Sequence, residues 1–272
     1  MKLRRISLAV LSVLLSVTAA LSGFMVYTQL SGRQKEKEGF AELAELVQTV
    51  PSELSLPDEM PSIDNKPESE QKRDLTPLFA QNSDCIGWLS IPGTAVNYPV
   101  MHTPENPQKY LRRSFYGEYS QSGVPFLDRR CGLDSDNLII YGHNMKNGTM
   151  FSSLRNYTDP AFCAAHPVIE FQTADGAEQY AVFAVAAVQK TDDWYGFIHA
   201  ADGADFSEQT AAILQKSLYD TGITPVYGRQ IITLSTCSYE FTEARFVVVA
   251  RKVRDGEDPE VDISKAYKTP NP

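Results

Sequence analysis

The residue best suited to covalent chemistry in this sequence is a cysteine at the end of a β-branched run. Cys237 follows the run 231–236, and Arg245 comes eight residues later, directly before the apolar run 246–250. Both runs are typical of strands, and the residues between them are enough to turn the chain back, so a β-hairpin is predicted. In a hairpin the end of the first strand lies beside the start of the second, which places Cys237 and Arg245 at one sheet edge. A guanidinium there favours the thiolate and can stabilise an oxyanion, as acyl transfer through sulfur requires.

A cysteine that only fills space in the core is the alternative for Cys237. Free cysteine is among the most buried residue types and usually behaves as a small hydrophobic residue. The hydroxyl-bearing side chains of Ser235, Thr236 and Ser238 flank the thiol, however. This polar surrounding favours a reactive thiol over an inert one.

A thiol that is to be acylated also needs a partner for its proton. The four histidines are His102, His143, His166 and His199. His143 is the first candidate, because it follows the apolar run 138–141 through Gly142 much as Cys237 ends its own strand. His102, which follows the run 98–101, is the second candidate.

Composition argues against metal chemistry and against nucleic acid. Cys85, Cys131, Cys163 and Cys237 form no CxxC pair, and no histidine stands at ligand spacing, so neither a metal site nor a cofactor is expected. The formal net charge of −9 argues against nucleic acid as a partner. Whether Cys85, Cys131 and Cys163 form disulfides is left open by the sequence.

The N-terminus carries a segment long enough to cross a membrane. Lys2, Arg4 and Arg5 precede the uncharged span 6–28, whose 23 residues suffice for a transmembrane helix. A signal peptide is the alternative, but the apolar span continues beyond the usual length of a signal core. We therefore expect an uncleaved single-pass anchor, residues 1–28, with the rest of the chain outside the cell.

A stalk is predicted between the anchor and the folded domain. Apolar residues at helical spacing indicate an amphipathic helix over residues 36–50. Residues 51–74 hold four prolines, seven acidic residues and few large apolar ones, which is typical of a linker. The expected divisions are thus residues 29–74 as extracellular helix and linker, 75–254 as the catalytic barrel and 255–272 as a C-terminal tail.

The folded part reads as mainly β. Apolar runs at 86–91, 96–100, 124–127, 137–141, 168–171 and 180–188 join the two strands of the predicted hairpin and make about eight strands. Their spacing leaves no room for repeated βαβ crossovers, so a closed or nearly closed barrel is expected. Short helices are predicted at 149–157 and 205–219, the second with Asp205 as its cap. The long connection from Val188 to Gln230, which contains the second helix, is expected to form a wall of the substrate groove.

Two segments of the sequence resemble the signature segments of class B sortases. They are Tyr-Gly-His-Asn-Met-Lys-Asn-Gly-Thr-Met-Phe at 141–151 and Thr-Leu-Ser-Thr-Cys at 233–237, with Arg245 after the second. Residues 87–94 and 97–100 are similar to the early strands of that family. The likeness covers roughly residues 75–254, and the three catalytic positions show no departure from the pattern.

The resemblance implies an eight-stranded sortase-type β-barrel on the outer face of a Gram-positive cell. It implies a cysteine transpeptidase in which Cys237 is the nucleophile, His143 the general acid and base, and Arg245 the stabiliser of the substrate carbonyl or oxyanion. Asn144, Ser235, Thr236 and Tyr239 are expected to bind substrate. The substrates would be surface proteins with a C-terminal sorting signal, joined through a thioacyl intermediate to an amine of peptidoglycan or lipid II. Whether the resting pair is thiolate and imidazolium or neutral is left open.

Two other functions fit parts of the same pattern. A cysteine peptidase of the cell surface would share the nucleophile and base, and water instead of an amine would resolve its acyl enzyme. A noncatalytic, membrane-tethered β-domain that binds a cell-wall ligand would use Cys237 only as filler.

Overall fold

The structure is a computed structural model that describes residues 2–47, 73–237, 242–254, 256–262 and 264. The chain divides into two compact units, Met1–Glu42 and Leu43–Pro272. Outside the described residues lie most of the predicted linker (51–72), Tyr239, and residues 255, 263 and 265–272 of the predicted C-terminal tail.

One long helix accounts for the N-terminal part of the chain. Helix α1 is Lys2–Leu46, and its segment Leu14–Leu46 is long and apolar enough to cross a membrane by length and composition. The sequence predicted a separate helix starting near residue 36, but α1 continues through that point. A single glycine such as Gly32 costs a helix only about 1 kcal/mol, which is too little to end it.

The second unit is a closed eight-stranded barrel, which confirms the predicted fold class. The strands are β1 Cys85–Ser90, β2 Asn97–Met101, β3 Phe126–Leu127, β4 Asn137–Tyr141, β5 Val168–Thr173, β6 Ala177–Gln189, β7 Ile231–Cys237 and β8 Ala244–Lys252. Their order around the barrel is β1-β2-β3-β4-β7-β8-β6-β5. All pairs are antiparallel except β2–β3 and β4–β7.

Strands β7 and β8 are buried along almost their whole length. Six of the seven residues of β7 are buried, as are seven of the nine residues of β8. Strands covered on both faces are continuous apolar runs rather than alternating patterns. This burial explains why the sequence of β8 shows Val247, Val248 and Val249 in succession.

Helix α2, Thr76–Gln81, comes shortly before β1. The later short helices differ in detail from the sequence prediction. The expected helix at 149–157 is replaced by a 3₁₀ helix, Ser152–Thr158, followed by α3, Pro160–Ala165. A new helix begins there because the side chain of Asp159 accepts a hydrogen bond from Ala161 N and a proline occupies the first turn.

The long connection between β6 and β7 carries the other helices. It contains α4, Gly203–Lys216, and a 3₁₀ helix, Asp193–Gly196. The cap of α4 is Asp202, which accepts from Ala204 N and Asp205 N, so the assignment of Asp205 as the cap was wrong. Asp202 stands directly before a glycine. Because glycine is a weak helix former, the sequence pattern did not indicate that the helix begins there.

Leu43 and Val47, in the barrel unit, are only 2% and 1% exposed, whereas Leu46 between them is 40% exposed. We expect Leu43→Ala to destabilise a fragment that begins at residue 29 by about 2–5 kcal/mol, because it removes a buried side chain. For a domain of this size that lowers Tm by roughly 5–15 °C. Leu46→Ala is the matched control and should leave Tm almost unchanged. Equal melting temperatures for both variants would show that this segment acts only as a spacer.

Candidate active site

The site forms where β4, β7 and β8 meet at one edge of the barrel. Strands β4 and β7 are parallel, with Tyr141 opposite Ser235, and Gly142 N donates to Ser235 O at 3.1 Å. Parallel pairing brings the carboxyl ends of both strands to the same edge. His143 and Cys237 each come two residues after a paired position, so the register sets them side by side.

The antiparallel pairing of β7 with β8 brings the arginine to the cysteine. Cys237 is directly opposite Arg245, which confirms the arrangement predicted from the hairpin. The Arg245 guanidinium donates to Ala244 O through Nη1 at 3.1 Å. Cys237 and Arg245 are both half-buried. A half-buried cation next to a thiol is placed to stabilise negative charge on sulfur or on a bound carbonyl.

The loop after β4 is folded back on itself and pinned to Cys237. Asn144 Nδ2 donates to Cys237 O at 3.0 Å, so Asn144 contacts the end of β7 through its side chain. Phe151 N donates to His143 O at 2.9 Å, and Met150 takes a left-handed conformation with φ 57°. A non-glycine residue in that region is uncommon, and such strain persists only where surrounding contacts hold it.

Gly142 is required by packing in the same loop. A Cβ at this position would lie 2.5 Å from Cδ2 of Phe151. Phe151 is fully buried, so it cannot move away cheaply. The glycine thus lets the chain pass from β4 to His143 directly over the Phe151 ring.

His143 is held by a backbone carbonyl from another part of the chain. Its Nε2 lies 2.9 Å from Leu111 O, and since a carbonyl oxygen only accepts, Nε2 is the donor. Burial lowers the pKa of His143; the Leu111 carbonyl opposes that change, and the positive charge of Arg112 adds to it. The imidazole is therefore mainly neutral at pH 7 and able to accept a proton.

The three residues line one cavity. It has a volume of about 480 Å³ and is lined by Pro107, Gln108, Leu111, Val124, Phe126, Asp128, Arg129, Arg130, Tyr141, Gly142, His143, Ser235, Thr236, Cys237 and Arg245. Ser235 and Thr236 are 1% and 2% exposed, and Tyr195 OH lies 2.8 Å from Ser235 Oγ. Thr236 Oγ1 is buried without a hydrogen-bond partner in the described part of the chain.

A network beside the thiol was not found from the sequence. Asp128 accepts two hydrogen bonds from the Arg130 side chain, at 2.9 and 2.8 Å, and one from Tyr141 OH at 2.9 Å. Burial alone would raise the pKa of Asp128, but the bonds from Arg130 and Tyr141 outweigh it and lower that pKa. The polar group at 128–130, directly after a strand, was the available signal.

A second cavity of about 550 Å³ adjoins the first and shares Arg130, Tyr141 and Arg245 with it. Its remaining lining is Lys190, Thr191, Asp192, Asp193, Tyr195 and Gly196. The β6–β7 connection, which was predicted to be a wall of the substrate groove, lines the second cavity with residues 190–193, Tyr195 and Gly196, whereas helix α4 lines neither cavity. Helix α4 packs on β6 instead.

The other cysteines differ sharply from Cys237. Cys85, Cys131 and Cys163 are buried and free, whereas Cys237 is half-buried. Burial raises the pKa of each of the three thiols to about 11. At neutral pH they are protonated and shielded, so the open question about disulfides resolves in favour of free thiols.

The remaining histidines make other contacts. His166 Nδ1 lies 2.8 Å from Pro92 O, and His199 Nε2 lies 3.2 Å from Ser135 Oγ. His102, the second candidate base, is not among the residues that line either cavity. Within the described residues, no cluster of three or more histidine, cysteine, aspartate or glutamate side chains could hold a metal ion.

Comparison with known proteins identifies relatives of the barrel. The sequence profile of the sortase domain matches residues 89–253. Sortase B of Listeria monocytogenes serovar 1/2a is 34% identical over 190 residues, covering 68% of this chain and 76% of the relative. A solved structure of sortase B from B. anthracis in complex with AAEK1 has a TM-score of 0.68 at 27% identity, covering 83% of this chain and 99% of the other. The Staphylococcus aureus sortase B-substrate complex has a TM-score of 0.61 at 31% identity, covering 65% and 83%.

The contrast among the four thiols predicts a selective labelling pattern. In the native protein a charged methanethiosulfonate should modify one thiol rapidly at pH 7, because Cys237 alone is accessible among the four. The denatured protein should take up four equivalents. Intact-mass measurement counts the adducts, and a Cys237→Ala variant is the control that should show no rapid labelling. Rapid native labelling of that variant would contradict the burial of the other thiols.

Proposed function

Because this chain belongs to class B of the sortase family, whose members are cysteine transpeptidases, we propose that Cys237, His143 and Arg245 are its catalytic residues. The observation that carries the proposal is their convergence: a thiol, an imidazole and a guanidinium from β7, the loop after β4 and β8 line one cavity. In the proposed reaction Cys237 attacks a substrate carbonyl, His143 moves the proton and Arg245 stabilises the oxyanion.

The proton balance follows from the state of His143. The thiol proton passes to the neutral imidazole as sulfur attacks the carbonyl, which gives a tetrahedral intermediate and an imidazolium. The imidazolium then protonates the leaving amine as the tetrahedral intermediate collapses to a thioacyl enzyme. An incoming amine attacks the thioester and gives a proton to His143, and the imidazolium passes that proton to the departing sulfur, so the thiol and neutral imidazole are regenerated. The depressed pKa of His143 supports a neutral imidazole before the thiol attacks.

The proposed substrates are surface proteins with a C-terminal sorting signal, cleaved after a threonine. The cavity that Cys237 lines adjoins a second cavity, with Tyr141 and two arginines lining both, and this supports room for an extended peptide next to Cys237. Asn144, Ser235, Thr236 and Tyr239 stay predicted substrate contacts. Of these, Ser235 and Thr236 line the cavity, whereas Asn144 acts on the Cys237 carbonyl.

The proposed acceptor is an amine of peptidoglycan or lipid II. A related solved structure is sortase B complexed with triglycine, a peptide with a free amino terminus. That precedent supports an amine over water as the group that resolves the acyl enzyme. The hydrolytic peptidase is the second candidate, and the noncatalytic β-domain is disfavoured by class B membership.

The proposed location is the outer face of the cell membrane, with α1 as a single-pass anchor. Support comes from the apolar segment of α1. The basic residues before it (Lys2, Arg4, Arg5) are nearly balanced by those after it (Arg33, Lys35, Lys37), so charge alone does not set the orientation. The proposed divisions remain residues 1–28, 29–74, 75–254 and 255–272. The matched family region, 89–253, falls within the third of them.

One experiment tests the reaction and separates it from hydrolysis. A library of sorting-signal pentapeptides is offered to the protein lacking residues 1–28, with and without triglycine, and products are identified by mass. We expect cleavage after threonine with the new carboxyl joined to the amine when triglycine is present. Cys237→Ala should abolish cleavage and thioacyl formation with Tm within a few degrees of the parent. A free acid as the main product at saturating amine would favour the peptidase, and turnover by Cys237→Ala would remove the nucleophile assignment.

Arg245→Lys separates charge from directed hydrogen bonding. Lysine keeps a positive charge near Cys237 but loses the planar fork of donors. If Arg245 donates to the oxyanion, kcat should fall by about 10²-fold or more, the usual effect of removing one such donor. The pH dependence of Cys237 alkylation should stay nearly unchanged. A lysine variant within about threefold of the parent in kcat, under about 1 kcal/mol, would leave Arg245 as a background charge only.

A further inference from the structure

The backbone carbonyl of Leu111, which accepts a hydrogen bond from His143, lies in a segment that a charged cluster anchors to the barrel. Because Nε2 of His143 donates to Leu111 O, Nδ1 is the nitrogen without a hydrogen in the neutral imidazole. The second nitrogen of a histidine that acts as a base is commonly held by such a partner, which sets its tautomer and ring orientation. The position of the Leu111 carbonyl therefore decides which nitrogen of His143 can take a proton.

Two residues next to Leu111 bind the same carboxylate oxygen. Leu111 ends a 3₁₀ helix, Lys109–Leu111. Lys109 Nζ lies 2.5 Å from Asp84 Oδ2, and Tyr110 OH donates to that oxygen at 2.8 Å. Tyr110 is only 1% exposed. The short helix is thus fixed at both of the residues that precede the carbonyl.

The carboxylate is in turn fixed to the barrel. Asp84 directly precedes β1, and its backbone O accepts from His102 N at 2.8 Å, at the end of β2. Asn82 donates to Tyr110 OH at 2.9 Å and to Phe115 O at 2.5 Å. These bonds connect the loop to two strands that take no part in the proposed catalytic triad.

Close packing holds the carbonyl from the opposite side. Gly123 has φ +59°, and a Cβ there would lie 2.7 Å from Leu111 O and 2.4 Å from Tyr110 O. Only a glycine permits this approach. The Leu111 carbonyl is thus confined between the backbone at Gly123 and the cluster at Asp84.

We propose that Asp84, Lys109 and Tyr110 are positioning residues for proton transfer at His143. By fixing the Leu111 carbonyl they hold the hydrogen of neutral His143 on Nε2 and leave Nδ1 to exchange a proton with the Cys237 thiol. In that step the S–H bond breaks and an Nδ1–H bond forms, giving thiolate and imidazolium. The inference rests on the proposed role of His143. None of the three residues lines either cavity, so they act through His143 and not on the substrate.

The test is the pH dependence of kcat/KM in variants of the cluster. Titratable and charged groups around His143 are Arg112 on its carbonyl loop, Asp128, Arg129 and Arg130 after β3, Tyr141 on β4, Cys237 on β7 and Arg245 on β8. The variants leave all of them in place. Losing the Leu111 acceptor lowers the pKa of His143 further, because that bond favours the protonated ring.

Asp84→Asn and Lys109→Met make the test discriminating because they remove opposite charges. If the cluster acts by position, both variants should move the His143 limb of the profile to lower pH and reduce kcat by about tenfold to a hundredfold, with KM little changed. If only through-space charge matters, the limb should move down in Asp84→Asn and up in Lys109→Met. Lys109→Arg should restore the parental profile, and Asp175→Asn, in the β5–β6 turn, is the control that should change nothing.

A direct readout does not depend on activity. Nitrogen-15 NMR of the histidine side chains, with His143→Gln to assign the signals, should show neutral His143 protonated on Nε2 in the parent. Lys109→Met should show a mixture of both tautomers. The proposal would be overturned if the His143 limbs of the two pH profiles moved in opposite directions. It would also be overturned by a Lys109→Met variant within twofold of the parent in kcat, or by neutral His143 protonated on Nδ1 in the parent. His143→Gln with parental activity would instead overturn the proposed function, and this inference with it.

Discussion

The parallel pairing of β4 with β7 is the constraint on which the site depends. It is the contact that brings His143 and Cys237, 94 positions apart in the sequence, to one sheet edge. Side chains alternate between faces along a strand, so a slip of one residue would send one of the two to the opposite face. Five paired positions from Asn137 to Tyr141 hold the register, and all but the last are buried. The core of the barrel thus fixes the geometry of the site without any bond between the two side chains.

The antiparallel pairing of β7 with β8 adds the guanidinium by a different and more local route. The described hairpin strands flank residues 238–243, and their register makes Arg245 the partner of Cys237. The imidazole depends instead on loops. Its carbonyl partner Leu111 comes from the segment between β2 and β3, and Asn144 ties its own loop to Cys237 O. The proposed triad therefore combines two strand-borne groups with one loop-borne group, and the loop-borne group is the one that needs further anchoring.

This division also explains how much could be predicted from the sequence. The hairpin and the facing of Cys237 and Arg245 are local, so β-branched runs and a turn length were enough to predict them. The choice of His143 rested on its place after a strand, and the barrel followed from the number and spacing of the strands. The hold of Leu111 on His143 was beyond sequence patterns, since nothing in the residues around Leu111 marks a backbone carbonyl as a ligand. The Asp128, Arg130 and Tyr141 network was missed for a similar reason, because it joins a turn to a strand through side chains whose direction only the fold decides.

Local charge at the site differs from the charge of the whole chain. The chain carries a formal net charge of −9, yet the cavity around Cys237 is lined by Arg129, Arg130 and Arg245 against one carboxylate, Asp128. Asp128 binds Arg130 through two hydrogen bonds, so its negative charge is paired with that arginine. Within the described residues Arg245 donates to Ala244 O and forms no salt bridge. Because a partly buried charge is screened less than an exposed one, this local field outweighs the distant acidic surface in deciding how sulfur and a developing oxyanion are stabilised.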